Sequence, residues 1–563
     1  MQAKIFVALI AVFIIISIIS DKRSKYQKRT YARKMVVQSY GKKSKKQSYK
    51  RDLVGKDWDF SSAQISSDNQ IDDITWDDLE MDQIYCELNN CKSFAGDQIL
   101  YSTLHKTGGQ GNSYRSFQKK TDFFESHPED RNIIWPIISD LGKGEDNYFL
   151  PAYLNNLEAF KIPHIEYYRF MRILLFLSVI PAIVKLNYLY LGFTCIVALI
   201  NIVIYSVQKS RYEMYLNMLS SILGIMKTAR QIVDSDTLNY ENEFHDLKDN
   251  LSVFRKLLLK IGKPQLRTSA NLSGDIFTMM ESSTFGVTLW DFIQYDKVMN
   301  HLTEHQKELM ELYQTLGEID TAISVASFRA SLPIWCIPEF CEDNLIAAED
   351  IYHPLVHEPV YNTAVIEDGC IITGSNASGK STFIKALAIN ALLAQSIHTC
   401  MAKSFILPPS SVITSMAVRD NVSSGDSYYI REIKYLKRII QALNDEKPVL
   451  CIIDEILRGT NTEERLAASA AIMKYLNKRN CIAIVATHDI ELTEMLKGDY
   501  SNFHFTECIT DNEISFEYKI HPGPATSKNA LKLLAYMDFP KEILDDAERL
   551  ASDDESGAPD IYS

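Results

Sequence analysis

The sequence predicts an α/β domain at its C-terminal end, preceded by an all-α region into which membrane-crossing helices are set. Three observations carry this. From 334 to 550, apolar strand-like runs alternate with helix-like runs, the pattern of a parallel sheet covered by helices. Upstream, residues 212–235, 240–259 and 297–328 repeat apolar side chains at spacings of three and four, with Leu302, Leu309, Leu312, Leu316 and Ile319 on one face. Residues 5–19 and 173–207 are apolar blocks with almost no charge.

The chain has 563 residues, room for three or four domains, and a hydrophobic fraction of 46%, ordinary for a folded protein. Thirteen Lys or Arg against one acid make residues 21–51 +12, so the net charge of −13 leaves −25 on the remainder. An acidic body repels nucleic-acid phosphates unless its basic groups are gathered on one face, so bulk charge lends no support to non-specific DNA binding. The ten cysteines are scattered and no C-x-x-C pair occurs, which predicts reduced thiols. A zinc site from Cys86, Cys91, Cys336 and Cys341 is not expected, since no C-x-x-C pair occurs among them.

In order, residues 1–20 read as a membrane anchor. A signal peptide is the alternative, but no small-x-small cleavage site follows. Residues 21–51 form a basic cytosolic tether that acts as a positive-inside signal, and equally as a segment for anionic lipid or DNA. Residues 52–163 read as short helices joined by loops, the first part of a helical core. Within them, Phe123-Phe124-Glu125 has the look of an aromatic wedge with a base-reading acid, but aromatic pairs in helices are ordinarily core. Residues 164–207 read as a transmembrane helical hairpin flanked by Arg169, Arg172, Lys209 and Arg211, with a buried soluble hairpin as the alternative. Residues 208–333 are a second helical stretch, with breaks expected from Asn250 to Pro264 and at Ser273-Gly274. Residues 334–550 are the α/β domain, and 551–563 an acidic, disordered tail.

The chemistry sits in the α/β domain. Gly374-Ser375-Asn376-Ala377-Ser378-Gly379-Lys380-Ser381-Thr382 fits G-x-x-x-x-G-K-[ST] between a strand-like and a helix-like run. Its glycines let backbone N–H groups curl toward phosphate oxygens, Lys380 reaches the terminal phosphates, and the Ser381 hydroxyl ligates Mg2+; ATP is the expected cofactor. The helix that opens there adds the positive end of its dipole. The apolar run 449–453 then delivers Asp454 and Glu455 at the end of a buried strand. By the general logic of phosphate-loop ATPases, Asp454 holds the Mg2+ shell and Glu455 orients the attacking water. A third strand-like run, 481–487, ends at His488, which is placed for the γ-phosphate or the water; its bland reading is a surface or core histidine. Ser424 and Gly425 open an amphipathic helix, where bare N–H groups bind an anion or merely form an N-cap.

Together these residues resemble the MutS family of DNA mismatch-repair ATPases. The likeness rests on the phosphate loop with Asn376 two residues after Gly374, on Asp454-Glu455-Ile456-Leu457-Arg458-Gly459-Thr460-Asn461-Thr462, and on Ala486-Thr487-His488. It extends to Tyr352-His353-Pro354-Leu355-Val356, to Ser527-Lys528-Asn529-Ala530 and to Phe539-Pro540-Lys541-Glu542-Ile543, and more loosely to the helical regions. The resemblance implies a homodimer in which Ser424 and Gly425 contact the γ-phosphate bound by the opposite subunit, a clamp driven by ATP, and DNA as client. Departures are Asp426 where the family commonly has a basic residue, Leu457 where it has Gly, and no recognisable mismatch-reading domain. Two rival readings stand beside it: a membrane-bound ATPase that remodels a protein or lipid partner, and an ABC-type transporter.

Overall fold

The computed structural model describes residues 20, 23–24, 26–44, 48–108, 111–185, 187–235, 244–260, 286–375, 378–416, 428–443, 446–510, 513–525 and 539–555. The N-terminal anchor at 5–19, Asn376, Ala377, Ser424, Gly425 and the block 527–530 lie outside them. The chain divides into two compact units: Met1–Gln64 with Leu88–Ser102 and Ser116–Ser331, and Ile65–Glu87 with Thr103–Arg115 and Leu332–Ser563.

The first unit is helical. Its principal helices are α1 (Phe94–Leu104), α2 (Asn112–Ser126), α3 (Pro128–Ile138), α4 (Ile165–Lys185), α5 (Tyr188–Asp234), α6 (His245–Lys260), α7 (Trp290–Glu304) and α8 (Gln306–Arg329). α8 is the central member, because its apolar face is continuous: Leu309, Leu312, Leu316, Ile319 and Ile323 are fully buried. α1 lies against α8 at two glycines. A Cβ on Gly317 would come 3.0 Å from the Ala95 carbonyl, and one on Gly96 would overlap the Asp320 carboxylate. Asp320, with no exposed surface, accepts from the Ser93 amide (2.8 Å), the Ser93 hydroxyl (2.6 Å) and the Trp135 indole (2.9 Å). A buried acid is tolerated here because its oxygens are filled by donors. Phe123 and Phe124 are buried against Phe244 at 5.9 and 6.0 Å, and Glu125 pairs with Arg329, so the triplet is core.

α4 and α5 form the hairpin. α5 begins on an Asn187 cap, whose side chain accepts from the Leu189 amide, and runs 47 residues without a break. Residues 157–185 and 188–208 are long and apolar enough to cross a membrane, and only 22% and 17% of their most apolar windows is buried. Phe170, Ile180, Val184, Leu189, Ile196 and Leu199 are all more than half exposed. The end near α7 is tied down by Arg169 to Asp296 (2.6 Å) and by the Tyr205 hydroxyl to Asp291 (2.7 Å).

Three expectations are corrected. Residues 297–328 are not one helix: His305, at φ −126° and ψ 38°, ends α7 before α8 starts, a bend that apolar periodicity does not register because both helices keep the same face buried. The break expected from Asn250 begins no earlier than 261, since 250–260 belong to α6, whose Leu251 and Phe254 are buried. The tail is helical through its first five residues, because the helix Lys541–Glu555 continues the three-and-four spacing of Ile543, Ala547, Leu550 and Ala551.

The second unit holds two sheets. The strands are β1 (Glu339–Phe340), β2 (Leu345–Ile351), β3 (Asn362–Glu367), β4 (Gly369–Thr373), β5 (Ser404–Leu407), β6 (Ser411–Ser415), β7 (Val449–Asp454), β8 (Cys481–Ala486), β9 (Ser501–Thr510) and β10 (Glu513–Pro522). Six form the main sheet in the order β10-β9-β4-β8-β7-β6, parallel except for β10. β4 and β8 are buried at every residue, as a strand covered on both faces requires. The other four make a mixed sheet, β1-β5-β2-β3. Helices α9 (Lys380–Ile397), α10 (Tyr428–Ala442) and α11 (Thr462–Asn477) complete the unit, with α9 lying on β7 and β8. Short helices from 73–78 and 81–88 close the β6 edge: Asp78 accepts from Thr414 (2.7 Å), and Asp72 pairs with Arg438 (2.7 Å). These segments, read in sequence as part of the helical core, therefore pack with the α/β unit. No disulfide links the described cysteines.

Gly96→Ala should destabilise the helical unit by about 1–3 kcal/mol, because the methyl group must displace the Asp320 carboxylate and its donors. A lowered midpoint in urea unfolding followed by helical circular dichroism checks this; an unchanged midpoint means that α1 and α8 approach less closely.

Candidate functional site

The site grows from the C-terminal ends of β4, β7 and β8. β4 enters it through Thr373, whose hydroxyl accepts from the Ala525 amide at 2.9 Å. Gly374 follows at φ +139°, where a Cβ would stand 2.8 Å from the Phe505 carbonyl, and Gly379 caps α9 at φ +105°. Both need a residue without a side chain. Between them, Ser378 folds the loop back by donating its hydroxyl to the Ser375 carbonyl at 2.8 Å, while the Ser375 hydroxyl meets Glu507.

Lys380 opens α9 and is 3% exposed. Its ammonium donates to the Ser375 carbonyl at 2.7 Å and to the Gly374 carbonyl. Burial lowers its pKa, opposed by the charges of Glu455, Asp454 and Glu507. A buried cation held mainly by carbonyls in a glycine loop at a helix N-terminus is suited to a polyanion. The next residue, Ser381, donates its hydroxyl to Asp454 at 2.7 Å. The two hard oxygen donors come from elements separated in the sheet by β8, and together they fit one face of a Mg2+ shell.

Glu455 follows directly, with its amide on the Ala486 carbonyl (2.9 Å) and a backbone φ of +66°. Its side chain is 6% exposed, and one carboxylate oxygen meets Arg458 Nε at 2.7 Å and His488 Nδ1 at 3.0 Å. His488 Nε2 lies 3.6 Å from Asp489, which Arg465 grips with two bonds of 2.8 and 3.0 Å. Lys380, Ser381, Asp454, Glu455 and His488 thus gather at one sheet edge, the grouping expected from sequence. Leu457 is in the left-handed region at φ +57°. A side chain there costs about 1 kcal/mol or more, and the burial of Leu457 with Ile453, Leu476 and Leu492 offsets it.

A cavity of about 320 Å³ with a mixed polar and apolar lining, to which the sequence assigned no role, lies beside the loop. Tyr352, His353, Phe383 and Tyr518 line it, and Gly379 and Thr382 form the wall it shares with the phosphate loop. Its size and lining suit a flat heterocycle whose phosphates run into the loop. Tyr352 and His353 were legible only as part of a family-like block, and Phe383 and Tyr518 carried no signal. Burial lowers the His353 pKa to about 4, with Lys385 pushing the same way. The neutral ring accepts from the Leu355 amide at 3.2 Å.

Residues 370–554 match the family description MutS domain V. The chain is similar to MutS protein homolog 4 of Homo sapiens, at 29% identity over 46% of this chain and 29% of that protein. It is also similar to DNA mismatch repair protein MutS of Pseudothermotoga lettingae, at 28% identity over 46% of this chain and 33% of that protein, and of Lactobacillus delbrueckii subsp. bulgaricus, at 28% over 51% and 34%. The chain spans about a third of the length of these curated relatives.

Two outcomes follow for the site. Lys380→Ala should abolish binding of a fluorescent ATP analogue, and Ser381→Ala should raise the Mg2+ concentration needed for it by about ten-fold, a loss of roughly 1.4 kcal/mol. For His353, the folded pKa lies below the unfolded value, so the unfolded chain takes up the proton first as the solution is acidified. Its contribution to stability is present above pH 6.5 and is lost between 6.5 and about 4, by at most a few kcal/mol. Urea midpoints of wild type and His353→Gln should converge across that window; parallel curves would show that His353 titrates alike in both states.

Proposed function

We propose that this chain, a MutS-family protein through its domain V, binds Mg2+ and ATP in the α/β unit and hydrolyses the nucleotide. The observation that carries the proposal is the Ser381–Asp454 contact directly behind the glycine loop and the buried Lys380. The chain's own groups divide the work. Loop amides and Lys380 take the β- and γ-phosphates, Ser381 and Asp454 hold the ion, and the cavity beside Gly379 receives the base. Glu455, oriented by Arg458 and His488, accepts the hydrogen bond of the attacking water, and His488 stands beside the same oxygen. Bound Mg2+ supplies charge neutralisation of the phosphoryl group being transferred.

On the family reading, two chains share their nucleotides through Ser424 and Gly425, and the cycle drives clamp-like movement of helical arms on DNA, in mismatch repair or a related DNA transaction. The relatives named for DNA mismatch repair support that client. A second reading, a membrane-bound ATPase acting on a protein or lipid partner without DNA, is favoured by the apolar surface of the α4–α5 hairpin. Phe170, Ile180, Leu189 and Ile196 are each more than half exposed, a surface suited to lipid contact.

Glu455→Gln should keep ATP bound and reduce turnover by about a hundred-fold or more. Steady-state hydrolysis by detergent-purified protein measures it, and wild-type turnover in the variant removes Glu455 from its role. Added duplex DNA at low salt separates the clients: stimulation favours the DNA reading, whereas unchanged turnover together with flotation on liposomes favours the membrane reading.

A further inference from the structure

His301, Glu304 and His305, written H-x-x-E-H at the end of α7, place their ligand atoms within 4.8 Å of one another. His301 Nδ1 lies 3.9 Å from the Glu304 carboxylate, and the two imidazole rings are 4.9 Å apart at 71°. His301 and Glu304, three apart, share a face of α7, and the bend at His305 keeps that ring beside them. Phe254 of α6, fully buried, stands edge-on to both rings at 6.2 and 6.0 Å and holds them side by side. His305 Nδ1 faces Glu308 at 3.5 Å, the carboxylate-to-imidazole contact that leaves the other ring nitrogen to a metal. His301 Nε2 is buried without a hydrogen-bond partner. The side chains of His301 and His305 are about a third exposed, which leaves an ion a path from solvent.

We propose that His301, Glu304 and His305 form a site for a borderline divalent cation of the zinc or cobalt type, with Glu308 as the outer carboxylate that orients His305. Two imidazoles and one carboxylate match such ions and suit Mg2+ or Ca2+ poorly, because those take oxygen ligands. Three protein ligands leave a coordination position for water, and a modest rotation of the Glu304 side chain, which is 72% exposed, closes the set. The ion would fix the bend at His305, since two ligands belong to α7 and the orienting Glu308 to α8. This H-x-x-x-H pair stands apart in the chain from Cys86, Cys91, Cys336 and Cys341. The site uses no nucleotide-binding residue, so its fate and that of the ATPase reading are separable.

The test is a Co2+ titration of full-length, chelator-treated, nucleotide-free protein in detergent, followed by the visible absorption of the bound ion. One equivalent should bind to wild type, about ten-fold or more weaker in His301→Ala and in His305→Ala, and weaker by a similar factor in Glu308→Gln. Equal uptake by wild type and the doubly substituted His301→Ala, His305→Ala protein overturns the site. A second measurement needs no variant: saturating Zn2+ should protect His301 and His305 of wild type from acylation by diethyl pyrocarbonate, read by peptide mass. Unchanged labelling of both histidines with Zn2+ present also overturns it.

Discussion

The nucleotide reading depends on one contact, the 2.7 Å hydrogen bond between Ser381 and Asp454. Ser381 enters from β4 by way of the glycine loop, and Asp454 ends β7, two strands away across β8. Only a parallel sheet in register brings those ends to one edge; here Ile372 is level with Ala486, and Asp454 with the same residue. The apolar burial of β4, β7 and β8 is therefore what aligns two side-chain oxygens that sit 73 residues apart in the chain. The strained backbones at Glu455 and Leu457 cluster at this edge, where surrounding packing holds conformations that an isolated peptide would leave.

Legibility in the sequence tracked how local the determinant was. The phosphate loop and the acidic strand end were readable because each is a short run whose chemistry depends on its own spacing. The cavity beside the loop was not, because Tyr352, Phe383 and Tyr518 come from segments far apart in the chain and meet only after the mixed sheet folds beside the main one. The bend at His305 was hidden for another reason. Apolar spacing reports which face is buried, and α7 and α8 keep a buried face on both sides of it. The assignment of 65–87 and 103–115 to the α/β unit was likewise invisible, since it depends on partners such as Thr414 and Arg438 more than 300 residues away. The trans contact expected of Ser424 and Gly425 falls outside the described residues.

The helical unit joins two environments in one element. α5 carries exposed apolar side chains over 188–208 and buried ones, including Leu219, Ile222, Ile225 and Met226, further on. α5 thus runs unbroken from the hairpin to its packing against α8. Asp320 and its donors keep that bundle in one register, because any slip would strand a buried carboxylate.

On the proposed reading, the loop at 374–382 and the cavity beside it hold one ATP molecule. Photolabelling the full-length protein with 8-azido-ATP and Mg2+, followed by peptide mapping, tests it most directly. Base-derived label should fall on 351–362 or around Tyr518 and be competed by ATP. Label confined to any other part of the chain, or label that ATP fails to displace, would contradict it.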